Sequence, residues 1–129
     1  MPEIKRSHVG KRLSEVAIHQ GTIYLAGQVP DDISQDMAGQ TRQVLASIDA
    51  LLAEHGSDKS RILSCQIFLS DMSQAAAMNE VWDAWVTPGH TPPRATVGAT
   101  LAQREKLIEV VIVATVQVHM SDIGSVSAG

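Results

Sequence analysis

The chain has 129 residues, 44% of them hydrophobic and 19% charged, with 10 Lys and Arg against 14 Asp and Glu for a formal net charge of −4. That length fits one domain, and that composition supports a packed core rather than a disordered chain. The acidic balance excludes a whole-protein basic field for gripping phosphate backbones. A lone cysteine, Cys65, excludes an internal disulfide and a cysteine-based zinc site, and suits a reducing compartment.

The N-terminal segment MPEIKRSHVG has no apolar core of a secretory signal, which points to a cytoplasmic location. The polar stretch up to about Lys11 has room for one short strand. Glu15–Gln20 and Thr22–Ala26 are two β-like runs, and Gln20-Gly21 between them fits a tight hairpin turn, since glycine accepts positive φ. Residues 27–32 (GQVPDD) then break the strand.

From about Gln35 to His55 the period changes. Met37, Thr41, Val44, Leu45, Ile48, Leu51 and Leu52 recur at three- and four-residue spacings, which predicts an amphipathic helix, with Gly56 as its stop. Ile62–Ser70 returns to a period of two: Leu63, Cys65, Ile67 and Leu69 on one face, Ser64, Gln66, Phe68 and Ser70 on the other. Ser73 is the expected N-cap of a second helix with an apolar face of Met78, Val81, Trp82, Trp85 and Val86, ended by Pro88-Gly89. An extended loop at His90–Pro93 leads to strands at Arg94–Leu101 and Lys106–Val118. One domain over residues 1–120 and a flexible Ser/Gly/Ala-rich tail over 121–129 complete the expectation. The order implies an α+β domain with two helices on one face of a sheet.

The longest apolar run, Val110–Val116, is far too short to span a bilayer. It is nevertheless apolar on both faces: Ile108, Val110, Ile112, Ala114 and Val116 on one, Val111 and Val113 on the other. Two helices cover one face only, so the other requires a partner, and a second copy of the chain is the simplest candidate.

Phosphate-loop, nucleophile-elbow, zincin and dinucleotide-binding motifs are missing. The five histidines are scattered, without ligand-like spacing or a pair, which points away from a bound metal. Cys65, flanked by Leu63 and Ile67, reads as a small buried hydrophobe. Two charged residues stand out. Arg94 follows the stiff Pro92-Pro93, where a guanidinium can grip a carboxylate with two prongs; pairing with a neighbouring acid or capping a loop is the commoner role of such an arginine. Glu109 interrupts the apolar final strand, on the face of Val111 and Val113. There it is costly unless paired or hydrogen-bonded, and suited to holding a water, unless it sits at a solvent rim. Asn79, Glu80 and Gly27 are weaker: a helix surface and a turn glycine are their default readings.

Together these segments resemble a known family. Residues 21–30 (GTIYLAGQVP) are similar to its glycine–hydrophobic–SGQ–P segment, 40–45 and 48–52 to its first helix, and 56–59 to 67–72 to the following loop and strand. Residues 78–82 are similar to its second helix, Pro93-Arg94-Ala95-Thr96 to its P-x-R motif, and Ile108-Glu109-Val110 to its V-E-I motif. The chain thus resembles the Rid (YjgF/RidA) family of enamine and imine deaminases, in a RidA-related subfamily. The resemblance implies a chorismate-mutase-like fold and a cytoplasmic homotrimer with a site in each subunit cleft. It also implies no cofactor and hydrolysis of reactive enamines and imines, such as 2-aminoacrylate, to 2-keto acids and ammonia; the acidic charge and the short apolar runs point to no nucleic-acid or membrane partner. Arg94 then matches the carboxylate-binding arginine, Glu109 the glutamate that holds the attacking water, and Gly27 a backbone contact to the ligand. Ala26, Thr96, Leu13 and Asn79 fall at substrate-facing positions. Three of them depart from the pattern, with Ala26 for a serine, Thr96 for a cysteine and Leu13 for an aromatic residue. Rival readings are a non-catalytic carboxylate-binding or chaperone-like trimer, and a ribonuclease, against which the acidic charge and lack of a histidine pair argue.

Overall fold

A computed structural model describes residues 2–117. The chain forms β1 (Lys5–Val9), β2 (Ser14–His19), β3 (Thr22–Leu25), α1 (Met37–Glu54), β4 (Ile62–Leu69), α2 (Ala75–Trp85), β5 (Arg94–Gly98) and β6 (Ile108–Thr115). They build one six-stranded sheet in the order β1-β2-β3-β6-β4-β5, antiparallel except for the parallel β4–β5 pair. A parallel pair needs a crossover, and α2 supplies it. This is the mixed sheet with two helices expected from the chorismate-mutase-like fold. The expected end of the last strand at Val118 and the tail at 121–129 lie outside the described residues.

The β2–β3 hairpin turns where expected: Gln20 and Gly21 both have positive φ, +49° and +81°. That is the geometry a two-residue hairpin turn requires. Asp36 caps α1 by accepting a hydrogen bond from the Gly39 N–H at 2.9 Å, and Gly56 follows the helix at φ +76°.

Two local expectations are corrected. Ser73 does not cap the second helix, whose N-cap is Gln74 without a side-chain bond; the capping side chain is Asp71, at the turn that precedes it. The Asp71 carboxylate accepts the Ser73 N–H and hydroxyl, starting a 3-10 turn over Met72–Gln74 that leads into α2. Both bonds fall on one carboxylate oxygen, Oδ1, two residues before Ser73. In β4, Leu63 is half exposed and Ile62 is buried instead, because a bulge lies between Ile62 and Ser64. The extra residue shifts the alternation by one, and it resumes at Cys65, Ile67 and Leu69.

The core lies between the helices and one face of the sheet. Val44, Leu45, Ile48 and Leu52 of α1 and Met78 and Trp82 of α2 pack on Ile67, Leu69, Ile108, Val110 and Ile112. The other face carries Tyr24, Phe68, Val97, Val111 and Val113, with Tyr24 and Val97 exposed.

One buried polar side chain locks this arrangement. Gln40, fully buried on α1, donates from Nε2 to the carbonyls of Gln35 and Glu105 and accepts the Leu107 N–H at 2.8 Å on Oε1. It thereby fixes the approach to β6, two residues before Glu109.

Candidate functional site

Glu109 projects from β6 opposite Phe68 of β4, on the uncovered face. Beside it, the chain leaving β3 bends back onto β6: the Gln28 N–H donates to Val110 O at 2.8 Å and the Val110 N–H to Gln28 O at 3.0 Å. The buried Gln28 amide donates to Glu15 Oε2 at 2.9 Å and to Ala26 O at 3.0 Å. These bonds pin Gly27 against Glu109 so closely that a Cβ on Gly27 would overlap Oε2 of the carboxylate. Gly27 is therefore more than a turn residue: only a residue without a side chain permits this contact.

Leu13, Ala26, Gly27, Val29, Leu101, Ala102, Gln103, Lys106 and Glu109 line a cleft of about 250 Å³ here. Four residues singled out in the sequence thus converge. Lys106, which sequence reading passed over, adds a cation. Its only signal is its place three residues before Glu109.

Arg94 opens β5 in register with Cys65, and Thr96 with Ile67. Both partners face the helices, so Arg94 and Thr96 lie on that side of the sheet. The Arg94 guanidinium lies over the Trp82 ring of α2, 5.0 Å from its centroid. Asn79 precedes Trp82 by one helical turn, and its Oδ1 and the Thr96 Oγ1 are buried without a hydrogen-bond partner among the described residues. Unsatisfied buried polar atoms are rare and commonly mark a place for a ligand or water. Among the described residues, ion pairs join only His8 and His55 to Glu54, so the fork of Arg94 is engaged by no carboxylate there. Burial pushes the neighbouring Cys65 thiol up to about 12, with Arg94 pulling it back in part. The thiol stays neutral, which suits a packing role rather than a nucleophile.

Arg94 and Glu109 do not meet within one chain. Their partners on β4, Cys65 and Phe68, are three residues apart, which puts the two side chains on opposite faces. Three residues of rise and two strand spacings further separate their backbones by roughly 10 Å in each direction. The candidate residues fall into two groups, the candidate half-sites: Leu13, Ala26, Gly27 and Glu109 at the cleft beside β6, and Asn79, Arg94 and Thr96 beside α2 and β5.

The histidines are less scattered than the spacing implied. His8 Nε2 meets Glu54 Oε2 at 2.8 Å, His55 Nε2 lies 3.7 Å from the same oxygen, and the two rings are 6.3 Å apart. Folding brings β1 to the end of α1, which sequence distance concealed. Among the described residues, no group of three or more His, Cys, Asp or Glu side chains is arranged to hold a metal ion. No helix among them is long and apolar enough to cross a membrane.

Residues 4–116 match the family described as Endoribonuclease L-PSP. The chain belongs to this family, the YjgF/RidA group. A RutC family protein from Haemophilus ducreyi is 48% identical over 113 residues, covering 88% of this chain and 97% of that protein. The RutC family protein YoaB of Escherichia coli is 47% identical, covering 88% and 98%. A crystal structure of a YjgF family member from Neisseria meningitidis superposes with a TM-score of 0.88 at 44% identity, covering 91% of this chain and 98% of that one. The resemblance read from the segments around Gly27, Arg94 and Glu109 is thus a family relationship across most of the chain.

Proposed function

We propose that the protein hydrolyses reactive imines of small 2-amino-acid-derived carboxylates, at sites closed between copies of the chain. The observation that carries this reading is an arginine whose fork meets no carboxylate among the described residues and a glutamate packed against Gly27 in a small cleft, on opposite faces of one sheet. A ligand that uses both must lie between two subunits. The uncovered apolar face around Tyr24, Val97, Val111 and Val113 supports such an assembly, and a homotrimer is the form the family relationship favours.

In the proposed site Arg94 of one subunit holds the substrate carboxylate with two parallel N–H···O bonds. The carboxylate of Glu109 from the next subunit accepts a proton from water as the water oxygen attacks the C=N carbon. The same proton then passes to the nitrogen. Glu109 then carries the adduct's hydroxyl proton to the amino group, and cleavage of the C–N bond releases ammonia and leaves the 2-keto acid. The chemistry requires positioning and one proton shuttle, and Arg94 and Glu109 suffice for both. An enamine such as 2-aminoacrylate enters after tautomerising to the imine. Lys106 at the rim of the cleft adds positive charge that favours anionic substrates.

The test is release of keto acid from imines generated in situ by an amino-acid dehydratase, compared with Arg94→Ala. Turnover unchanged in the variant would refute the assignment. A binding-only protein would instead be stabilised by keto acids without turning imines over. The ribonuclease named in the family description has no support from the site: His8 and His55 both face Glu54 and lie outside both half-sites.

A further inference from the structure

We propose that Trp82 is a positioning residue for Arg94: its indole face holds the guanidinium while the fork, which meets no carboxylate among the described residues, stays available to one from a ligand. This rests on the reading of Arg94 as the carboxylate anchor and adds how that anchor is held.

An arginine side chain has several freely rotating bonds, and a ligand that must first order it binds more weakly. Proteins usually order arginines by pairing them with acids, but an acid here would occupy the donors the substrate needs. A π face attracts the cation without consuming a hydrogen bond. The geometry meets that need: the guanidinium carbon sits 5.0 Å from the Trp82 ring centroid, and Trp82 is only 6% exposed. The position below Arg94 on β4 is Cys65, a neutral thiol that does not compete for the cation.

The indole is itself held. Trp82 packs against Trp85 with centroids 5.3 Å apart and planes inclined at 49°. The Trp85 indole N–H donates to Asp49 Oδ2 of α1 at 2.9 Å, and Lys59 lies over the outer indole, 5.3 Å from its centroid. Two tilted, packed indoles thus tie Arg94 to α1, and the anchor inherits the rigidity of the core.

The chain has two tryptophans, so Trp85→Phe leaves Trp82 as the sole emitter. In that protein, saturation with 2-oxobutanoate is expected to shift the Trp82 emission, because a carboxylate neutralises the cation lying on its face. Adding Arg94→Ala should abolish the shift. In the imine assay, Trp82→Leu should raise KM about tenfold with kcat within about twofold, the pattern of lost uniform binding. Trp82→Phe should recover most of the loss. Keto acid that binds by calorimetry without moving the Trp82 emission would overturn the proposal, as would a stably folded Trp82→Leu protein with unchanged KM, or no keto-acid binding at all. A protein that turns over no imine yet shows the Arg94-dependent emission shift would keep the proposal and sink the catalytic reading instead.

Discussion

The Glu109 carboxylate occupies the space in which any residue other than glycine at position 27 would carry its Cβ. The contact joins two motifs 82 positions apart in the chain, and it makes a substitution at Gly27 a probe of Glu109. The clashing atoms are the far end of a flexible side chain, so Gly27→Ala should displace the carboxylate rather than unfold the protein. Stability is expected to change by about 1 kcal/mol or less, while kcat for imine hydrolysis falls about tenfold to a hundredfold, in the range for a lost proton-transfer group. Thermal melts beside steady-state kinetics decide it; a large melting shift with intact kcat would contradict the geometry.

Removing the Arg94 fork should remove substrate binding and leave the fold standing, since the residue is exposed and meets the core through the Trp82 ring. Arg94→Ala is expected to lower kcat/KM by roughly a hundredfold, about 3 kcal/mol, the upper range for hydrogen bonds to a charged group. Arg94→Lys keeps the charge but loses the two-pronged grip, and should recover only part of the activity. Stabilisation of the fold by added keto acid, read as a melting shift, should vanish in Arg94→Ala.

Because the half-sites lie on opposite faces of the sheet, two inactive variants should complement each other. Arg94→Ala and Glu109→Gln subunits, unfolded together and refolded in equal amounts, are expected to regain about a quarter of wild-type activity. That is the share of clefts with an intact arginine and glutamate if subunits mix at random around a ring. Activity no higher than that of either parent would exclude a shared cleft.

Cys65 is expected to be silent in the native protein. Burial holds its thiol pKa near 12 against an ordinary value of 9.0, so the folded state keeps a proton that the unfolded state releases. Stability is unaffected below pH 9 and falls as pH rises above it, by at most about 1.4 kcal/mol per unit. Thiol reagents should label the protein only on unfolding, and Cys65→Ser should not abolish imine hydrolysis. Rapid labelling of the folded protein would argue otherwise.

Gln40→Ala should rank among the more destabilising substitutions in the chain. It strands the Leu107 N–H and the Glu105 carbonyl and leaves a cavity in the core, a loss of about 2–4 kcal/mol. Chemical denaturation measures it directly. A change within about 0.5 kcal/mol, as at ordinary surface sites, would show that water replaces the amide.

The element pattern was legible because it is local. Period-two and period-3.6 spacing, Gly56 after α1 and Gln20-Gly21 in the hairpin are consequences of backbone sterics that each segment carries alone. The apolar open face was legible too, since the last strand is apolar on both sides and two helices cover only one of them. Of the misreadings, the bulge that exposes Leu63 follows from how β4 meets β6, while Asp71 takes the Ser73 N–H and hydroxyl on its carboxylate and so starts the turn before α2. What only the tertiary structure decided is who meets whom. The parallel β4–β5 register and the antiparallel β4–β6 register, set by the crossover through α2, place Arg94 and Glu109 on opposite faces. The same packing seats Arg94 on Trp82, closes Gly27 onto Glu109, and gathers His8 and His55 at Glu54. Such pairings depend on strand order and register, which side-chain periodicity along one strand does not encode.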